Sequence, residues 1–213
     1  MTISWWPWAC AAALYILFRL WYDNWRGKLS AAEVDSFMQL AAAQREARGG
    51  VEVNDPAVIR AFLEADDGRE FVMLNLVRVA PGLISHPVTG VATPGRDLLQ
   101  LYSNPFIAAL VRRGGHPAIV ARKVGGYIDA WGVAPDPGWS IVGFMRYRSR
   151  RDLMALATDP RFKDIHQFKL AGISETFSFP TQPWLRLFVG PRLWLGLLLG
   201  LAASVAQILI LLP

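Results

Sequence analysis

Leu193–Leu212 is a run of twenty residues without a charge, LWLGLLLGLAASVAQILILL. At 1.5 Å rise such a run makes a helix of about 30 Å, the thickness of a bilayer's hydrocarbon core. It cannot be an exposed helix in water, so the chain is expected to be held in a membrane. Ser204 and Gln207 are its polar members, and in lipid such groups seek a neighbouring helix. Gly196, Gly200 and Ser204 recur every four residues, a small-residue face that would let another helix come close.

A second apolar run, Ile3–Tyr22, lies near the start of the chain. Trp5, Trp6 and Trp8 mark one end, and Trp21, Tyr22 and Trp25 the other, as aromatic belts do at the two bilayer interfaces. Arg19 is close enough to the second belt to snorkel out. A cleaved signal peptide would need a basic start and a small-residue exit, and RLWYDNW provides neither. Two transmembrane helices are therefore predicted. Arg19, Arg26 and Lys28 follow the first, Arg186 and Arg192 precede the second, and no cation lies on their far sides. By the positive-inside rule this predicts a two-pass protein of a bacterial-type inner membrane, its central domain cytoplasmic and both termini outside.

The boundaries read as residues 1–25 for the first membrane helix, 26–69 for a helical lead-in, 70–183 for an α+β domain and 184–213 for the second membrane helix. In the lead-in, Ser30 and Glu33 form a capping box ahead of Val34, Phe37, Met38, Leu40 and Ala41 at helical spacing, and Gly49–Gly50 end that helix. Asn54-Asp55-Pro56 starts a shorter one. Strands are predicted at Phe71–Val79, Pro117–Val124, Ser140–Tyr147 and Ile173–Phe179. Helices are predicted over Leu98–Arg113, restarting at Asn104-Pro105, and over Ser149–Thr158 and Pro160–Leu170. From Phe71 onward the order is β-α-β-β-α-β, that of the ferredoxin-like split unit.

In the first predicted strand Phe71, Met73 and Val77 share one face and Val72, Leu74 and Leu76 the other. A sheet covered by helices on one side has a polar second face, and this one is apolar on both. Something covers the second face. A second copy of the domain is one candidate and the two lead-in helices are another.

Met73-Leu74-Asn75-Leu76, Tyr102, Arg113-Gly114-Gly115, Tyr147-Arg148-Ser149-Arg150 and Asp159-Pro160-Arg161-Phe162, in that order, resemble the DUF1330 group of the dimeric α/β-barrel superfamily. The resemblance covers about residues 70–179 and none of the membrane helices. It implies a dimer built sheet against sheet, and it implies a pocket between sheet and helices able to hold a small hydrophobic molecule.

Asn75, polar in an apolar strand, must find partners or line a cavity. His116 and His166 titrate near neutrality and could serve as acid or base, but each is alone in its segment. With Tyr102 and Arg146 they make up the candidate ligand-binding set. Arg146, Arg148, Arg150 and Arg151 are the densest basic cluster, suited to an anionic ligand, to lipid heads or to a solvated edge. The one cysteine, Cys10, excludes an intrachain disulfide and a cysteine metal site, and no metal or cofactor is expected. The net charge of +5 has no nucleic-acid-binding motif beside it, so nucleic acid is not an expected partner. No HExxH, GxSxG, P-loop or dinucleotide fingerprint occurs, so no catalytic residue is assigned. Two functions fit. One is an accessory or assembly subunit of a larger membrane complex, of the kind found in respiratory or photosynthetic assemblies, whose partners are the bilayer, other membrane subunits and a second copy. The other is a membrane-tethered enzyme or binder of a small hydrophobic molecule.

Overall fold

The computed structural model describes residues 4–47, 54–185 and 189–212. The chain divides into two compact units, residues 1–25 with 183–213, and residues 26–182.

The first unit is a pair of helices, α1 (Trp6–Tyr22) and α7 (Pro191–Leu211). Pro7 and Pro191 open them, where a missing N–H costs nothing. At 21 residues α7 is long and apolar enough to cross a membrane, and it is the one such helix among the described residues. This corrects the expectation of two spans. The 17 residues of α1 reach about 26 Å, short of the hydrocarbon core, because Asp23 turns the chain into extended backbone.

The two helices pack on each other. A Cβ on Gly196 would lie 3.5 Å from the Tyr15 ring, an ordinary contact, so α1 passes close to this position. Gly200 faces open space, and the Ser204 hydroxyl donates back to the Gly200 carbonyl (2.8 Å). The Gln207 amide is buried and has no hydrogen-bond partner among the described residues. Asp23 accepts from Arg19 and from Arg192 (2.6 Å), whose guanidinium also lies over the Tyr22 ring (4.8 Å). Arg186 and Gly49–Gly50 lie outside the described residues.

The second unit holds helices α2 (Ala31–Ala47), α3 (Pro56–Glu64), α4 (Gly95–Arg112), α5 (Arg150–Ala157) and α6 (His166–Gly172). Its strands are β1 (Phe71–Val79), β2 (Leu83–Ser85), β3 (Ala92–Pro94), β4 (His116–Arg122), β5 (Ile141–Tyr147) and β6 (Ile173–Thr181). The main sheet has the order β4-β5-β1-β6, and every neighbouring pair is antiparallel. The architecture is α+β.

The capping box forms as the sequence requires: Ser30 Oγ accepts from the Glu33 amide (3.3 Å) and Glu33 accepts from the Ser30 amide (3.0 Å). Asp55 caps α3 (2.8 Å to the Ala57 amide) and Ser149 caps α5 (3.1 Å to the Asp152 amide). Three local expectations are corrected. Helix α4 runs unbroken through Pro105, because Leu101 and Pro105 are both exposed and water can serve the orphaned carbonyl. A small hairpin, β2–β3, precedes α4. The predicted helix over Pro160–Leu170 is a 3₁₀ turn at Pro160–Phe162 followed by the short α6.

Register assigns the faces. Phe71, Met73, Asn75 and Val77 stand beside Tyr147, Met145, Gly143 and Ile141 on the helix side. There Phe71, Ala109, Leu110, Tyr147, Leu156 and Phe162 form one core. A second core of Leu29, Val34, Leu63 and Met154 lies between α2, α3 and α5, and the Phe62 ring joins the two, edge-on to Phe71 at 5.3 Å. The lead-in helices are thus spent on the helix side.

The other face carries Val72, Leu74 and Leu76 from β1, Phe144 and Val142 from β5, Phe177 and Phe179 from β6 and Ile119 from β4. Phe177, Phe179 and Ile119 are nearly half exposed. Val72 and Arg146, at one end of this face, are buried, and Leu74, Leu76, Val142 and Phe144 at its centre are partly exposed.

Candidate functional site

The five expected ligand residues divide between the two sides of the sheet. Asn75 sits mid-strand on the helix side, opposite Gly143 and Ser178. Its Nδ2 donates to the carbonyls of Met73 (3.0 Å) and Gly143 (3.4 Å), both part of the sheet. Tyr102 on α4 and His166 on α6 do meet, edge to face with ring centroids 6.0 Å apart. Phe106 stacks on Tyr102 (5.6 Å), and the Lys169 ammonium lies 5.6 Å from the same ring. This contact arises because α4 and α6 pack closely: a Cβ on Gly172 would stand 2.7 Å from the Gly95 carbonyl and 2.8 Å from the Leu99 amide. Tyr147 stacks on Phe71 (5.3 Å), and burial pushes its hydroxyl pKa up, the Tyr102 hydroxyl adding to the shift.

His116 and Arg146 pair across β4 and β5 on the other side. His116 Nδ1 lies 2.9 Å from the carbonyl of Pro117. Arg146 is buried, and its guanidinium donates to Glu70 (2.5 and 3.1 Å) and to the Gly114 carbonyl. It clamps the α4–β4 turn to the start of β1.

The rest of the basic cluster is engaged in the same way. Arg148 holds Asp152 through two bonds (2.7 and 2.9 Å). Arg150 donates to the Phe62 carbonyl, stands 3.4 Å from Asp66 and covers the Phe62 ring at 4.5 Å. Arg151 grips Glu33 (2.8 and 3.0 Å) and the carbonyls of Gly27 and Lys28 (both 3.2 Å). Arg151, with the Ser30 amide, holds the Glu33 carboxyl down to about 2. These four arginines grip the chain's own carboxylates and carbonyls. Among the described residues no cluster of three or more His, Cys, Asp or Glu side chains could hold a metal ion.

The feature the sequence did not disclose is a row of rings bordering the uncovered sheet face. Trp139 meets Phe177 edge-on (5.3 Å) and Phe177 stacks on Phe179 (6.2 Å). The alternating phenylalanines of Glu175-Thr176-Phe177-Ser178-Phe179 were its signal.

No protein-family model matches the chain, and no curated protein is significantly similar to it. Two crystal structures share its fold. One is RPA0582, a protein of unknown function from Rhodopseudomonas palustris, at 20% identity and a TM-score of 0.51, over 62% of this chain and 96% of that one. The other is methylated RPA0582, also at 20% identity, with a TM-score of 0.52 over 63% and 96%. The likeness is one of fold.

Proposed function

We propose that this chain is an accessory or assembly subunit of a larger integral membrane complex, and that its α+β domain joins a second copy through the uncovered sheet face. The observation that carries this reading is that face. Its centre is apolar on all four strands, and the lead-in helices pack on α5 instead. Monomers rarely tolerate such a surface. The order β-α-β-β-α-β with strands arranged β4-β5-β1-β6 is that of the ferredoxin-like unit, and the resemblance of its sequence to the DUF1330 group supports a dimeric α/β-barrel assembly.

In this reading α7 crosses the bilayer and α1 packs along it. The open space at Gly200 suits a helix from another subunit. Arg26, Lys28 and Arg192 support a cytoplasmic position for the domain at a bacterial-type inner membrane. Purification of the tagged full chain in mild detergent tests it. Co-migration with other membrane subunits is expected, and a lone protomer or dimer with no partner would contradict the accessory role.

The contact of Tyr102 with His166 favours a second reading, a membrane-tethered binder or enzyme for a small hydrophobic molecule. Asn75 lies on the same side of the sheet as that contact. Native mass spectrometry of the full chain should then show a bound molecule that Asn75→Ala and His166→Ala weaken; a ligand-free protein would exclude it.

A further inference from the structure

The segment joining β4 to β5 projects beyond the sheet and is unusually apolar at its tip. Ile128 is fully exposed, and Val124, Trp131 and Val133 are 88%, 81% and 66% exposed. Single exposed hydrophobics are ordinary, but four within ten residues form a patch. The base of this loop is fastened. Lys123 pairs with Asp136 and its ammonium lies 5.3 Å from the Tyr127 ring, while Asp136 accepts from the Gly138 amide (2.9 Å). Trp139 Nε1 donates to the Tyr127 hydroxyl (2.8 Å), and the same indole meets Phe177 on the sheet. The loop's base is therefore continuous with the uncovered face through Trp139, Phe177 and Phe179.

We infer that residues 124–133 form an arm that packs against a second copy of this chain, extending the sheet-to-sheet contact. The inference rests on the proposed use of the sheet face and adds to it. Area supports it. Phe177, Phe179 and Ile119, with the partly covered Leu74, Leu76, Val142 and Phe144, present on the order of 500 Å². A stable interface takes about 800 Å² from each partner. The arm adds roughly another 500 Å², of which Trp131 supplies about 200 Å². Face and arm together reach the standard size, whereas the face alone sits at the small end of stable interfaces.

Charge points to protein rather than lipid. Between Val124 and Pro135 there is one charged residue, Asp129, and no cation, whereas segments that lie on membranes carry Lys or Arg for the anionic headgroups.

The test uses the full chain in detergent, with sedimentation velocity to measure dimerisation. The double variant Ile128→Asp/Trp131→Asp should raise the dimer dissociation constant at least tenfold while its thermal unfolding stays that of wild type, since both side chains are exposed. A photo-crosslinker at position 128 should give a covalent dimer whose linked peptide lies in the other copy. If wild type dimerises and Phe144→Lys breaks the dimer, but the double variant dimerises as wild type does, the arm is refuted and the sheet reading stands. A monomeric wild type would overturn both. Crosslinks from position 128 to lipid, in the full chain reconstituted in vesicles, would make the bilayer the occupant and refute the inference.

Discussion

Arg146 offers a sharp separation between a structural cation and a ligand-binding one. Its side chain is 3% exposed, and that of its partner Glu70 is 16% exposed. Changing Glu70 to Gln keeps the shape and one acceptor but removes the charge. The buried guanidinium then loses the Glu70 charge, and breaking a buried pair costs about 3–5 kcal/mol. Because water reaches the Glu70 side, the lower end applies, about 3 kcal/mol. Arg146→Met should cost less, about 1–2 kcal/mol, since the freed carboxylate can hydrate while the Gly114 carbonyl loses a donor. Replacing both, as Arg146→Met with Glu70→Leu, should cost less than Glu70→Gln alone, because an apolar pair of similar volume often substitutes for a buried ion pair. At about 2–4 °C per kcal/mol for a chain of this size, Glu70→Gln should lower the melting temperature by roughly 6–12 °C. Tryptophan fluorescence during heating of the full chain in detergent reads this directly. A Glu70→Gln variant melting within a degree of wild type would show that Arg146 reaches water, and the structural assignment would fail.

Three further outcomes follow from named contacts. The folded Glu33 carboxyl is held near 2 against its ordinary 4.5, so its stabilising contribution is full above about pH 4.5 and is lost as pH falls towards 2. Wild type should lose more stability than Glu33→Gln between pH 5 and pH 2; parallel curves would contradict the Arg151–Glu33 lock. Gly172→Ala would drive a methyl against the backbone of α4 and should cost about 1–3 kcal/mol in the same melt, with no loss if α4 and α6 can part freely. Gly196→Ala meets Tyr15 at ordinary contact distance and should melt like wild type, whereas Gly196→Leu should separate α1 from α7 and melt lower.

Local signals in the sequence located most of the secondary structure. The capping box at Ser30–Glu33, the Asp55-Pro56 start and the apolar strands needed only neighbouring residues to be read. What escaped was decided at long range. The path of α4 through Pro105 depends on which side of that helix faces water. The docking of α2 and α3 on α5 depends on Arg151 reaching Glu33, 118 residues earlier, and on Arg150 reaching Phe62, 88 residues earlier. The basic cluster suggested an anion grip because its carboxylate partners are scattered through the chain. Arg146 and Glu70 are 76 residues apart, joined only once β5 pairs with β1. Among the candidate ligand residues, the meeting of Tyr102 with His166 required two helices to close over Gly172, which no periodicity reveals.

The central claim is that the sheet's second face is an interface between copies, and two adjacent residues test it. Phe144 points to the uncovered face and Met145 packs with the helix-side core. In full-length protein reconstituted in nanodiscs at one label per chain, single-molecule photobleaching should show two steps for wild type. Phe144→Lys should reduce this to one step while the thermal unfolding transition persists, and Met145→Lys should abolish the transition itself. One-step bleaching for wild type, or two steps that persist in Phe144→Lys, would contradict the sheet-to-sheet assembly.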